Sequence, residues 1–292
     1  MRVMLIGANG QLGTDLHKVL GSRGISVLPV KHADLDIRDV PRVEDVVTSA
    51  QPDVVINTSA FHKVDECEKQ PAVSFEVNAI APLRLAQLCR KLGATLVHIS
   101  TDYVFDGIKR TPYAEDDLAR PINTYGVTKL AGEHLIASAM SQYFLVRTCG
   151  LFGHAGSSGK GGNFVENMLK RAPADTIRVV DDQKATPTAT TDLAKAIAQL
   201  ITTSEYGLYQ ATSEGECSWY EFTRALFELA GLERNVIAVK TKDIPGGIRR
   251  PAYSVLSKSK LASLGIKMPH WRDALSQYLR ERADLLPPSP PR

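Results

Sequence analysis

Gly7-Ala-Asn-Gly10-Gln-Leu-Gly13 constrains the fold more than any other stretch, because of what flanks it. An apolar strand segment, Arg2-Val-Met-Leu-Ile6, runs into it, and a helix-like run from Asp15 to Arg23 leaves it. Glycines in that position permit a tight turn and let an anionic group lie close to a helix N-terminus, whose unpaired N–H groups and dipole favour negative charge. A Gly-x-x-Gly-x-x-Gly spacing alone is weak, but strand, turn and helix in this order are the setting in which it binds a dinucleotide. Gly7, Gly10 and Gly13 are therefore expected to cradle a pyrophosphate.

The rest of the first half repeats the alternation. Ser26–Val30, Val54–Thr58, Thr95–Ile99 and Phe144–Arg147 read as buried strands, and Asn78–Leu92 as an amphipathic helix. Strands alternating with helices predict an α/β protein built on a doubly wound parallel Rossmann sheet over residues 1–150. Residues 151–285 are less regular and are expected to form a smaller substrate-binding α/β portion with elements returning to the first. Helices are expected over Asn163–Arg171, Thr191–Ile201 and Trp219–Ala230, the last capped by Ser218. The Gly-rich stretch His154–Gly162 is expected to be a loop able to close over substrate, and residues 286–292 an extended, disordered Pro-rich tail.

Chemistry concentrates where strands end. Tyr125 and Lys129 stand four apart at the start of a helix introduced by Pro121 and Asn123, so they share one face. An ammonium beside a phenol lowers the phenol's pKa, which suits a proton donor to a reacting oxygen. Ser100-Thr101-Asp102-Tyr103 closes the fourth strand with hydroxyls fit to hold a carbonyl. The second strand ends in Lys31-His32 where many NAD-binding proteins carry an acidic residue, which favours a cofactor with a 2′-phosphate. Arg250, in Arg249-Arg250-Pro251, is placed to pair with a diphosphate.

Composition excludes other classes. A net charge of +3 over 292 residues is too small and scattered for nucleic-acid binding, and no apolar run reaches membrane-spanning length. The N-terminus begins with a strand in place of a signal peptide, and Cys67, Cys89, Cys149 and Cys217 lack metal-type spacing, so reduced thiols, a cytoplasmic location and no metal are expected.

The glycine stretch, Ser100-Thr-Asp-Tyr-Val-Phe105, Tyr125-Gly-x-Thr-Lys129, Asp182-Gln183 with Pro187-Thr188, and Arg250-Pro251 with Ser254 and Leu256 together resemble the dTDP-4-dehydrorhamnose reductase family. These are extended short-chain dehydrogenase/reductases, and the likeness runs over nearly the whole chain. The resemblance implies NAD(P)H-dependent reduction of a 4-keto group on a nucleotide-linked deoxysugar, with NADP(H) preferred and NAD(H) admitted. It implies that Thr101, Tyr125 and Lys129 are catalytic and that Asp102 and Tyr103 contact the sugar. It assigns Gly10, Gln11 and Leu12 to the cofactor loop, Asp36 and Ile37 to the adenine, and Ala60, Phe61 and His62 to the ribose and pyrophosphate, with Lys129 also on the nicotinamide ribose. The expected partner is a nucleotide sugar, with a homodimer left open.

One departure stands out. Family members usually carry tryptophan after the fifth strand, in Arg-Thr-Ser/Ala-Trp, whereas here Arg147-Thr-Cys-Gly150 places a glycine there. A changed substrate, or the loop at 154–162 filling the gap, would follow from that. Two other readings remain open within the fold: a cofactor-binding regulatory subunit resembling the methionine adenosyltransferase beta subunit, and a nucleotide-sugar epimerase.

Overall fold

The computed structural model describes residues 1–156, 162–244 and 247–282. The first half comprises β1 (Arg2–Ile6), α1 (Gln11–Ser22), β2 (Ser26–Val30), α2 (Val40–Ala50), β3 (Val54–Asn57), α3 (Val64–Lys69), α4 (Pro71–Phe75), α5 (Ala81–Leu92), β4 (Thr95–Thr101), α6 (Thr124–Ala139) and β5 (Tyr143–Thr148). The second comprises β6 (Leu151–Phe152), α7 (Phe164–Leu169), β7 (Thr176–Val180), β8 (Lys184–Ala185), β9 (Thr188–Ala189), α8 (Thr190–Leu200), β10 (Gly207–Gln210), β11 (Cys217–Ser218), α9 (Trp219–Leu229), β12 (Asn235–Val239), α10 (Ser259–Ser263) and α11 (Trp271–Glu281).

Six strands form one parallel sheet in the order β10-β5-β4-β3-β1-β2. Apolar side chains on both faces require helices on both sides, and these are present. Leu12, Leu16 and Leu20 of α1 and Leu193 and Ile197 of α8 cover one face; Val43 and Val47 of α2, Leu85 and Cys89 of α5, and Ile136 of α6 cover the other. The chain leaves β1 for β2 on one side and crosses to β3 on the other. This reversal opens a crevice outside the carboxyl ends of the strands, where open α/β sheets bind ligands.

Two helices differ from the sequence reading. α1 begins at Gln11, not Asp15, so Gly13 lies within its first turns. A Cβ on Gly13 would stand 2.2 Å from the Gly7 carbonyl oxygen, and its absence lets the helix start against the loop. The helix expected from Asn78 begins earlier, at Pro71, and passes through a π-helical turn, Glu76–Ile80, before α5. Pro82 has no N–H to offer the Asn78 carbonyl, so regular α-helical bonding is interrupted there.

The second half adds three two-stranded pairings, β7 with β12, β6 with β9, and β8 with β11. α7, α9 and α11 close over an apolar cluster around Phe152, Phe222 and Trp271. Ser218 and Glu221 form the capping box that starts α9. Among the described residues no helix is long and apolar enough to cross a membrane. The four cysteines are buried and none is in a disulfide. Most of the expected loop, 157–161, and the whole tail, 286–292, lie outside the described residues.

Candidate active site

The glycine loop joins β1 to α1 at the reversal point of the sheet. Gly7 has φ +82°, and a Cβ there would meet Thr58 Oγ1 at 2.5 Å. The bare backbone is thus a steric requirement, and it leaves the N-terminus of α1 open to an anion: Gly10, its N-cap residue, makes no side-chain capping bond. Gln11 is tied to the second half by Nε2 donating to the Leu151 carbonyl at 3.2 Å, and Leu12 is buried in the core.

The next strand end brings up the loop Ala60-Phe61-His62. Asn78, read from the sequence only as the start of a helix, holds it: Oδ1 accepts from Phe61 N–H at 2.8 Å and Nδ2 donates to the Phe61 carbonyl at 2.9 Å. The same Nδ2 lies 3.1 Å from Thr128 Oγ1, linking the loop to α6. His62 Nδ1 lies 3.3 Å from the Ala60 carbonyl oxygen.

α6 carries the expected pair. Asn123 caps it by accepting from Gly126 N–H at 2.9 Å, while its Nδ2 donates to the Arg249 carbonyl at 3.0 Å. Gly126 is there because a Cβ would lie 2.2 Å from the Tyr103 carbonyl oxygen. That close approach sets the Tyr125 and Tyr103 rings edge to face, centroids 5.9 Å apart. Lys129 is buried, with Nζ donating to the Ile99 carbonyl at 2.6 Å and 2.9 Å from His98 Nε2.

The electrostatics differ from the sequence expectation. Burial pushes the Tyr125 phenol above its ordinary value, outweighing the opposite effect of the Thr101 hydroxyl beside it. Lys129 Nζ is engaged by the β4 backbone and His98. Burial instead brings Lys129 itself down to about 8, against the favourable field of Glu133.

Thr101, at the last position of β4, donates to Asp102 Oδ1 at 3.1 Å and accepts from Tyr103 N–H at 3.2 Å. Asp102 is buried and receives Ser254 Oγ on Oδ2 at 2.6 Å. Burial raises its pKa, opposed by the hydrogen bonds from Ser254, Cys149 and Thr101. Arg250 is exposed and its guanidinium lies against the Tyr103 hydroxyl, whose pKa burial pushes up. Thr101, Asp102, Tyr103, Tyr125 and Arg250 are therefore linked by these contacts and those of Asn123, while Lys129 reaches the same strand through the Ile99 carbonyl. Asp182 and Gln183 instead tie down Thr241: Asp182 Oδ1 accepts from its N–H at 2.9 Å, and Gln183 Nε2 donates to its Oγ1 at 2.9 Å.

At the far end of the crevice Lys31 and His32 are exposed beyond β2, and Ile37 is buried. Asp36 is not free: Arg38, which the sequence reading passed over, binds it through Nη2 at 2.6 Å and Nε at 3.0 Å. That hydrogen-bonded ion pair takes the Asp36 carboxyl down to about 2.

The family model described as the RmlD substrate binding domain matches residues 1–283. The chain is 41% identical to the spore coat polysaccharide biosynthesis protein SpsK of Bacillus subtilis, over 97% of this chain and 98% of that one. It is 38% identical to a dTDP-4-dehydrorhamnose reductase of Streptomyces griseus, over 94% and 92%. This chain belongs to the dTDP-4-dehydrorhamnose reductase family. A solved dTDP-4-dehydrorhamnose reductase from Bacillus anthracis, in complex with NADP, shares the fold at a TM-score of 0.91 and 37% identity, covering 96% of this chain and 99% of that one.

Against the dTDP-4-dehydrorhamnose reductase pattern, Gly150 gains an explanation. It has φ +54°, and a Cβ would meet Trp219 Cη2 at 3.1 Å and Pro187 Cα at 3.2 Å. The indole of Trp219, brought by α9, lies against Gly150. Trp219, which the sequence reading treated only as the first residue of a helix, thus packs beside Gly150.

Proposed function

We propose that this chain reduces the 4-keto group of a nucleotide-linked 6-deoxysugar, a dTDP sugar by family, using NADPH. What supports the reading is Thr101 at the end of β4 with its hydroxyl beside the Tyr125 phenol, and Lys129, four residues on in α6, bonded through Nζ to the Ile99 carbonyl of the same strand. The cofactor fits what the chain offers: a loop in which Gly7 and Gly13 have no room for a Cβ, an uncapped helix N-terminus, and exposed cations beyond β2. NADPH, when bound, supplies the hydride.

The chain's own residues handle the oxygen. Burial keeps Tyr125 protonated through neutral pH, so it stands loaded as the donor to the alkoxide that forms. Thr101 has one hydroxyl proton and gives it to Asp102 in this structure; holding a keto oxygen means turning that proton away from Asp102. Asp102, with acceptors already used by Thr101 and Ser254, serves to set the Thr101 hydroxyl and the neighbouring backbone. Arg250 offers a planar fork to the diphosphate of the sugar nucleotide, a stronger partner than the Tyr103 hydroxyl it lies against. Residues 151–282 supply the substrate side, through Arg250, Ser254 and the wall formed by Trp219.

The test is to present dTDP-, UDP- and GDP-linked 4-keto-6-deoxysugars with NADPH, follow nicotinamide absorbance, and identify the sugar by mass spectrometry. Consumption with a product two mass units heavier, best with the dTDP sugar, supports the reading. No reduced sugar from any of the three refutes it.

A further inference from the structure

Asn123 uses the two ends of its carboxamide on two different segments. Its Oδ1 accepts from the Gly126 N–H at 2.9 Å, which caps α6, and its Nδ2 donates to the Arg249 carbonyl at 3.0 Å. A backbone N–H can only donate and a carbonyl can only accept, so one orientation of the amide serves both. The side chain is buried, and Arg249 lies 126 positions away in the chain. Capping needs only the oxygen, which serine or aspartate would supply equally well. The nitrogen therefore has a separate task.

Its bond falls where the chain has least to hold it. Among the described residues, the main chain from Gly247 to Pro251 makes no hydrogen bond except the one from Asn123, and Gly247, Arg249 and Arg250 are exposed. Main-chain bonding resumes at Ala252, whose carbonyl accepts from the Lys184 N–H at 2.8 Å. Gly107 fixes that downstream end: its φ is +79°, and a Cβ there would lie 2.7 Å from Pro251 Cα. Arg250 thus stands between two fixed points, the Arg249 carbonyl on Asn123 and Pro251 on Gly107. The proline that follows it also confines its own backbone to extended conformations. From there its guanidinium reaches the Tyr103 hydroxyl.

We propose that Asn123 is a positioning residue for Arg250, aiming that arginine at the diphosphate of the sugar nucleotide while its oxygen starts α6; this rests on the reductase reading above. Tyr125 does not depend on the same bond. The Thr124 N–H and hydroxyl are held by the Glu68 carboxylate of α3 at 2.7 Å and 2.6 Å, and Gly126 lies against the Tyr103 carbonyl. Losing the Asn123 nitrogen therefore loosens the substrate arginine without unseating the start of α6. Asn123→Ser and Asn123→Asp both keep a capping oxygen and lose the donor, and serine does so without adding a charge near the diphosphate.

The test is calorimetric binding of dTDP, UDP and GDP to the full chain, read with the one that the native chain binds tightest. Asn123→Ser and Asn123→Asp should each weaken that nucleotide by about tenfold, the effect of one lost hydrogen bond, and leave NADPH affinity at its native value. In an Arg250→Ala background Asn123→Ser should have no further effect, because a residue that acts through the arginine has nothing left to aim. In turnover, KM for the sugar nucleotide should rise with kcat little changed; the reverse pattern overturns the proposal. Undiminished nucleotide affinity in both single variants, or losses that add in the double variant, overturns it too and leaves the reductase reading standing. A native chain that binds none of the three nucleotides overturns both.

Discussion

Ser254 Oγ donates to Asp102 Oδ2 at 2.6 Å, a bond between residues 152 positions apart that fastens the C-terminal segment onto the end of β4. The Asp102 pKa is raised in the fold, so the native chain binds a proton more tightly than the unfolded one. Stability contributed this way is greatest at acid pH and falls as pH rises from 3.8 through the raised value. Ser254 opposes that rise by favouring the carboxylate. Ser254→Ala should therefore cost about 1–3 kcal/mol at neutral pH and less in acid, measured by urea unfolding at both. A loss independent of pH would detach this bond from the Asp102 charge.

Glu133 and Arg147 form a buried ion pair at 2.6 Å, both almost inaccessible to solvent. Removing one partner leaves the other charge unpaired, so Glu133→Gln should destabilise by about 3–5 kcal/mol. The double variant Glu133→Gln with Arg147→Met should recover a substantial part of that loss. Denaturant midpoints at unchanged slope would measure both, and additive losses would contradict the pairing.

Cofactor discrimination should depend on Lys31. It is exposed beyond β2, while the nearby Arg38 is committed to Asp36. Lys31→Ala is expected to weaken NADPH binding about fivefold, close to 1 kcal/mol for one exposed ionic contact, and to leave NADH unchanged. Titrations at low and high salt should show the difference shrinking with screening. An equal effect on both nucleotides would mean that Lys31 does not face the 2′-phosphate.

Restoring tryptophan at position 150 should fail. With φ at +54° and a Cβ 3.1 Å from Trp219, Gly150→Trp adds bulk where an indole already lies. About 1–3 kcal/mol of destabilisation is expected from overpacking, relieved in part by Trp219→Ala. Thermal unfolding of the single and double variants decides it, and a fully stable Gly150→Trp would contradict the contact.

Local signals made much of this legible. The Asn123 cap, the Ser218 start of α9 and the glycine loop are short-range patterns, and the alternation of strands and helices specified the sheet. Helix boundaries failed at two places: Gly13 reads as turn yet lies in α1, and the helix read from Asn78 begins at Pro71 and passes through a π turn before α5. Gly126 is the contact that lets α6 reach Tyr103. Asn78 on Phe61, His98 under Lys129, Ser254 on Asp102 and Trp219 beside Gly150 were beyond reach, since topology alone brings such distant segments together. Arg38 is the exception: its two-residue spacing from Asp36 was a local signal.

The central claim is that a hydride reaches the sugar while Tyr125 protonates the oxygen. The most direct measurement is a single-turnover reaction with NADPH deuterated at C4 and the dTDP-linked 4-keto-6-deoxysugar, comparing the native chain with Tyr125→Phe. Deuterium at sugar C4, with the Tyr125→Phe rate lower by about 10²–10⁴-fold and NADPH affinity within a few-fold, is the predicted result. A product without deuterium at C4, or an undiminished rate in Tyr125→Phe, would contradict it.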